Sequence, residues 1–183
     1  FLSKTKAERL AWEFMESKGL KNKFTTICPG GVFGDALDKK GGTSIEYVRQ
    51  FLKGKFPAAP KWGVLISDVK DIAKAHVACI GNTKVGGRRL IVGKEVKKLI
   101  ELSQIMAEAM PEYAKKLPKK ELPNFMVKLI SFFDSSAKTL IPDLEIVMQT
   151  DTTYAEELLG LKFKPAKGCI TDTAKSVVRL GLV

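Results

Sequence analysis

A chain of 183 residues, 45% hydrophobic and 28% charged, is long enough to close one buried core and has the composition of an ordinary globular domain. It holds no run of 18 apolar residues, and its first twenty carry charges throughout, so neither a membrane-spanning helix nor a secretory leader is expected. The formal charge of +11 comes from lysines spread along the chain, densest at KKLPKK (115–120) and KEVKK (94–98). No aromatics interleave them, so a solvated basic surface is expected and nucleic-acid binding is not.

In chain order, Ala7, Leu10, Ala11, Phe14 and Met15 recur at helical spacing and predict a helix over 3–18, closed by Gly19. Phe24–Cys28 is β-rich and predicts a buried strand stopped at Pro29-Gly30-Gly31. A polar, glycine-containing loop (34–43) leads to a helix capped by Thr43 or Ser44 and running to Lys53. Pro57 and Pro60 break the pattern before a strand over Trp62–Ser67. Asp68 opens a helix to Ile80, with Ile72, Ala73, His76, Val77 and Ile80 on one face. Asp68 and Asp71 are expected to cap it and to engage a basic neighbour, and His76 to be packed and hydrogen-bonded.

Arg88–Val92 predicts a strand and Lys97–Met110 a helix. A proline-punctuated loop follows, expected to be mobile. Asn124 then caps a helix carrying Phe125, Met126, Leu129, Ile130 and Phe133. Its apolar face suits core, a substrate wall or a membrane-contacting surface. Helices from Thr152 or Thr153 to Leu159 and from Ile170 to Leu180 complete the chain. Strands alternating with helices give an α/β class with a largely parallel sheet. Helices dominate beyond residue 95, so a smaller, mostly helical lobe is expected there.

Cys28, Cys79 and Cys169 lie far apart with no CxxC spacing. That gives no support to a metal site and suggests reduced thiols in an intracellular compartment.

The specific signal is four motifs in fixed order. SKTKAERLAWEF (3–14) resembles the segment after the active-site tyrosine of extended short-chain dehydrogenases/reductases, whose pattern reads YxxSKTxAExxAWxF. Ser3, Lys4, Thr5, Ala7, Glu8, Ala11, Trp12 and Phe14 match it. ICPGGVFGD (27–35) resembles the family's NPxxVxGP turn, with Cys28 in place of asparagine and Asp35 in place of the final proline. DVKDIAKAHVACI (68–80) resembles the DVRDVAxAHV segment. GGRRLIVG, ELPNFMVKLISFFD and LLGLKFKPAKGCITDTAKSVVRLGLV resemble the C-terminal lobe of dihydroflavonol-reductase-like members.

The resemblance covers nearly the whole chain. It implies the C-terminal half of a Rossmann-type doubly wound parallel sheet plus a smaller helical substrate lobe. Residues 1–95 would belong to the NAD(P)-binding domain, with a substrate-lobe insert near 35–60, and residues 96–183 to the substrate lobe and terminal helix. The catalytic tyrosine would fall immediately before Phe1. The glycine-rich dinucleotide turn would lie upstream, since GDALDKKGG (34–42) does not link a strand to a helix as that turn must. The partners implied are NADP or NAD, a small carbonyl substrate and an N-terminal half. A homodimer also fits. The chain alone is expected to be inactive and poorly stable. The setting expected is the cytoplasm, with the mitochondrial matrix the alternative.

Lysine four positions after tyrosine shares its helix face. An ammonium beside a phenol lowers its pKa from about 10 and makes it an effective proton donor to a carbonyl under reduction. By resemblance Lys4 takes that part and also holds the nicotinamide ribose, while Pro29, Gly30, Gly31 and Val32 meet the nicotinamide. Read from local sequence alone, Lys4 is a solvated helix lysine, and the glycine turn is equally a plain strand end. The expected activity is hydride transfer to an aldehyde or ketone of dihydroflavonol type. A nucleotide-sugar epimerase or dehydratase of the same family, and a non-catalytic subunit that keeps the fold, are the alternatives.

Overall fold

The computed structural model describes residues 2–132, 138, 141–144, 146 and 148–183. Among these, seven helices, α1 (Leu2–Ser17), α2 (Thr43–Leu52), α3 (Val69–Cys79), α4 (Leu99–Ala109), α5 (Asn124–Ile130), α6 (Thr153–Leu159) and α7 (Ala166–Arg179), alternate with seven short strands. The strands are β1 (Thr25–Pro29), β2 (Gly31–Phe33), β3 (Ala59–Pro60), β4 (Gly63–Asp68), β5 (Arg88–Val92), β6 (Glu95–Lys98) and β7 (Glu121–Leu122). The α/β architecture is the one expected. β1 pairs with β5, β2 with β4 and β3 with β7, all parallel.

One ladder departs from the parallel pattern. β6 runs antiparallel to β4, Val64 opposite Lys97 and Ile66 opposite Glu95. It takes up Lys97 and Lys98, expected to begin the helix, so α4 starts at Leu99. Glu101 then accepts the Lys98 backbone N–H at 2.7 Å and closes the first turn. α7 likewise begins four residues before the expected Ile170, after Pro165, whose φ of −59° is already set for a helix start. Gly19 and Gly160, at φ +68° and +63°, end α1 and α6 as read from sequence, because the left-handed conformation costs glycine little. Phe133 lies outside the described residues.

The chain changes ladder at Gly30, between β1 and β2. A Cβ there would sit 2.2 Å from the Leu65 carbonyl oxygen, so β4 leaves room only for glycine. Fully buried Ser67 ties the ladders together. Its hydroxyl accepts the Gly30 N–H at 2.9 Å and donates to the Val92 carbonyl at 2.6 Å.

Two apolar clusters flank the strands. Phe33, Phe51, Leu52 and Ile66 pack with Leu102, Met106, Ile170 and Val177, joining α2, α4 and α7 to β2 and β4. Ala75, Val85, Leu90, Val92, Leu159 and Phe163 form the second, between α3, α6 and β5. The first cluster draws on residues from both sides of position 95.

Helices α1 and α3 each carry more apolar surface than this chain covers. α1 has no buried residue, with Leu10 63% and Phe14 60% exposed. Its half-buried face is Glu8, Ala11, Trp12 and Met15. α3 buries Asp71 and Ala75, whereas Val77 and Ile80 on the predicted face are 69% and 81% exposed. His76 is exposed too, with Nδ1 2.8 Å from the Ile72 carbonyl oxygen. No helix among the described residues is long and apolar enough to cross a membrane.

Candidate functional site

A cavity of about 1170 Å³ opens where β1, β2 and β5 end. Ligand clefts of open α/β sheets lie at such carboxyl ends. Pro29, Gly30, Gly31 and Val32 form one wall. Ile45, Tyr47 and Trp62 form another, and Val69, Ile146 and Met148 add further apolar surface. Pro29 is exposed and Val32 is 39% exposed, so the turn is open to a ligand.

The turn is held from behind. Ser67 takes up the Gly30 N–H. The Gly34 N–H donates to Thr173 Oγ1 at 2.7 Å and the Ala36 N–H to Ser176 Oγ at 3.0 Å. Arg179 bonds Asp35 Oδ1 at 2.6 Å and the Ala36 carbonyl at 3.0 Å. Thr173 and Ser176 are buried on α7, so the helix furthest along the chain fixes the loop after β2. Each hydroxyl also donates to its own helix, to the carbonyls of Cys169 and Thr173. Gly30 and Gly31 face β4, since a Cβ on Gly31 would lie 2.8 Å from Val64 Cγ2. Close packing on β4 is thus reason enough for both glycines.

Of the residues singled out from sequence, Pro29, Gly30, Gly31 and Val32 come together on the cavity wall and Lys4 does not. Lys4 is exposed on α1. Two contacts seat that helix. Trp12 meets Phe24 edge to face at 4.6 Å between centroids. Glu8 Oε1 accepts from Arg89 Nε at 2.9 Å and Thr26 Oγ1 at 3.0 Å. Burial alone would raise the Glu8 carboxyl, but the bonds from Arg89, Thr26 and Trp12 outweigh it and hold it below the usual range. Cys28 lines the cavity, its thiol pushed up by burial. An activated thiolate would need the opposite shift.

Asp68 and Asp71 fix the start of α3, beside Val69 and Lys70 of the cavity lining. Asp68 Oδ1 caps α3 by accepting the Lys70 N–H at 2.8 Å. Asp71 Oδ2 accepts the backbone N–H of Lys164 at 2.6 Å. The Lys164 ammonium bonds Asp172 and lies 3.6 Å from Asp68 Oδ2. The ammonium that pairs with Asp71 is that of Lys74, at 3.7 Å from Oδ1, while the basic neighbour expected for Asp68 is Lys164. Below it Cys169 is fully buried, its thiol pushed up to about 12 by burial.

Sequence reasoning missed Ser67, Tyr47, Trp62, Thr173 and Ser176. A signal existed for the last two. In ITDTAKSVV, Thr173 and Ser176 fall on the helix face that Ile170, Ala174 and Val177 mark as buried, and buried hydroxyls need partners.

No family model matches the chain. It is 29% identical over 188 residues to an NADPH-dependent methylglyoxal reductase of Saccharomyces cerevisiae, spanning 97% of this chain and 50% of the relative. It is 26% identical over 175 residues to a cinnamoyl-CoA reductase of Petunia hybrida, spanning 96% of this chain and 46% of the relative. The crystal structure of the yeast methylglyoxal/isovaleraldehyde reductase complexed with NADPH superposes with a TM-score of 0.71 at 27% identity. That match covers 96% of this chain and 53% of that one. The chain spans about half the length of the curated relatives it matches.

Proposed function

We propose, from its kinship with reductases of the extended short-chain dehydrogenase/reductase family, that this chain is the C-terminal half of an NADPH-dependent reductase. It acts on an aldehyde or ketone of a small organic molecule. The observation that carries the reading is the apolar cavity walled by Pro29–Val32 at the end of parallel strands. The same half-length match to reductases named for NADPH supports it.

The cavity fits a nicotinamide. Its walls are apolar, Pro29 and Val32 are open to it, and its volume exceeds what a ring and a small substrate need. When bound, the cofactor supplies the hydride. The chain's own residues then have three tasks. Pro29–Val32 form the shelf for the ring, held by Ser67, Thr173 and Ser176. Tyr47, Trp62 and Ile45 face that shelf and exclude water from the carbonyl.

Lys4 holds the ribose and favours proton release by a tyrosine one turn before it. Its position supports this. Stepping back along α1, Trp12 meets Phe24 and Glu8 meets Thr26, one helical turn for two strand residues. Lys4 is the next residue at that spacing on the same face of α1, about 6 Å beyond Glu8.

On this reading residues 1–95 serve the cofactor, the 35–60 insert and residues 96–183 serve the substrate, and the shared core makes the division one of task. The uncovered apolar faces of α1 and α3 are where the N-terminal half packs, and activity needs that half. An intracellular, cytoplasmic setting, consistent with three free cysteines, and a homodimer belong to the same proposal. The test follows NADPH oxidation by the complete protein across a panel of aldehydes and ketones, with Lys4→Met beside the unaltered protein. Turnover that falls by about a hundredfold or more, the scale of a lost proton-transfer contribution, supports the reading. Unaltered protein that oxidises NADPH with no carbonyl in the panel overturns it.

A further inference from the structure

Away from this cavity, a second pocket of about 590 Å³ lies between the C-terminal end of α2 and the loop over 111–122. Five lysines line it, Lys53, Lys115, Lys116, Lys119 and Lys120, and no carboxylate does. We infer that this pocket is a binding site for a multivalent phosphate, the di- or triphosphate group of a small molecule.

All five are exposed, and their like charges repel and their long side chains are free to move. Here the backbone that carries them is fixed, and it brings them together. Leu117 is 4% exposed and anchors the KKLPKK turn in the core. Buried Ser103 donates to the Pro118 carbonyl at 2.6 Å. The Ala59 N–H donates to the Lys120 carbonyl at 2.9 Å, and β3 pairs with β7 directly beyond it. On the other wall Gly54, at φ +70°, lets the chain turn against Lys116, whose Cβ would lie 3.3 Å from a Cβ at that position.

Among the described residues none of the five lysines is in an ion pair. Lys116 lies 5.4 Å over the Tyr113 ring. Lys53 acts at longer range on Glu46, a carboxylate already bonded to Arg49 and Gln50. Positive charge gathered on a fixed, concave stretch of backbone, with no carboxylate in its lining, is the complement of a polyphosphate. The pocket is also placed to affect the first cavity. Phe56, on its wall, stacks at 6.4 Å between centroids on Tyr47, which lines that cavity.

The experiment is a calorimetric titration of the complete protein, saturated with NADPH to fill the first cavity, with tripolyphosphate, with orthophosphate and with ATP, at low and at moderate salt. The expected result is tripolyphosphate binding well ahead of orthophosphate and weakening with salt. Lys116→Gln/Lys120→Gln should weaken it at least about tenfold, the loss of one charge-assisted bond, while Lys39→Gln/Lys40→Gln leaves it unchanged. Equal affinity for tripolyphosphate and ATP identifies a free polyphosphate as the ligand. Tighter ATP identifies a nucleotide-borne one. Binding no tighter than orthophosphate's, or lost equally in the Lys39/Lys40 variant, overturns the inference. Circular dichroism on both variants separates lost binding from lost fold. Single Lys119→Gln, at an exposed position, gives a milder variant that should still weaken binding.

Discussion

Replacing Ser67 by alanine should cost as much as any single-atom deletion near the cavity. The hydroxyl is fully buried and makes two bonds, accepting the Gly30 N–H at 2.9 Å and donating to the Val92 carbonyl at 2.6 Å. Alanine leaves both backbone groups in the interior without that partner. Each unsatisfied buried group costs about 1–3 kcal/mol, so the pair amounts to about 2–4 kcal/mol once some relaxation is allowed. Against a typical stability of about 5–15 kcal/mol that is a large fraction. Urea unfolding is the assay. With a slope of about 2 kcal/mol per molar, the midpoint should fall by about 1–2 M with the slope unchanged. Ser67→Cys, which keeps a weak donor and acceptor, should fall between the two. A Ser67→Ala midpoint within about 0.2 M of the unaltered protein, a precision ordinary for such curves, would refute the view that this hydroxyl joins the two ladders.

Gly30→Ala places a methyl against the β4 backbone, 2.2 Å from the Leu65 carbonyl oxygen. Overpacking of this kind costs about 1–3 kcal/mol or more, read as a lowered unfolding midpoint. Thr173→Val keeps the shape but removes the acceptor for the Gly34 N–H, so a loss of about 1–3 kcal/mol is expected in the same assay. The depressed Glu8 carboxyl links α1 to pH. A group whose folded pKa lies below its unfolded value, about 4.3 for glutamate, stabilises fully above that value, and the contribution fades as pH falls through the folded pKa. The thermal midpoint of the unaltered protein should therefore decline below about pH 4.3 more steeply than that of Glu8→Gln. Parallel declines would show that the Glu8–Arg89 pair does not couple to folding.

Local signals made most element boundaries legible. Glycines ended α1 and α6, and Asp68 capped α3, because these depend on a few neighbouring residues. β6 was hidden by its charges. KEVKK reads as solvated, yet its residues pair across from β4 at an edge where lysine and glutamate tails can reach water. The wrong face was assigned to α3 for a different reason. Apolar periodicity says that a helix has a covered side, but α3 and α1 each have two apolar sides, and this chain covers one.

Within the candidate site, Pro29–Val32 were readable because a strand that ends in Pro-Gly-Gly marks a strand terminus, and their motif says which. Lys4 could be singled out by resemblance alone, since an exposed helix lysine carries no local mark. The supports, Ser67, Thr173 and Ser176, reach the turn across 37, 139 and 140 residues. Single hydroxyls with partners that distant leave almost no trace in local pattern.

The central claim is that this chain forms half of a site that moves hydride from NADPH to a carbonyl. The most direct measurement uses NADPH deuterated at the transferable C4 position, the complete protein and an aldehyde it turns over, with the alcohol product read by mass spectrometry and proton NMR. The account predicts one deuterium on the carbinol carbon. Product alcohol formed without deuterium there would contradict it, as would a complete protein that binds NADPH yet leaves every carbonyl unreduced.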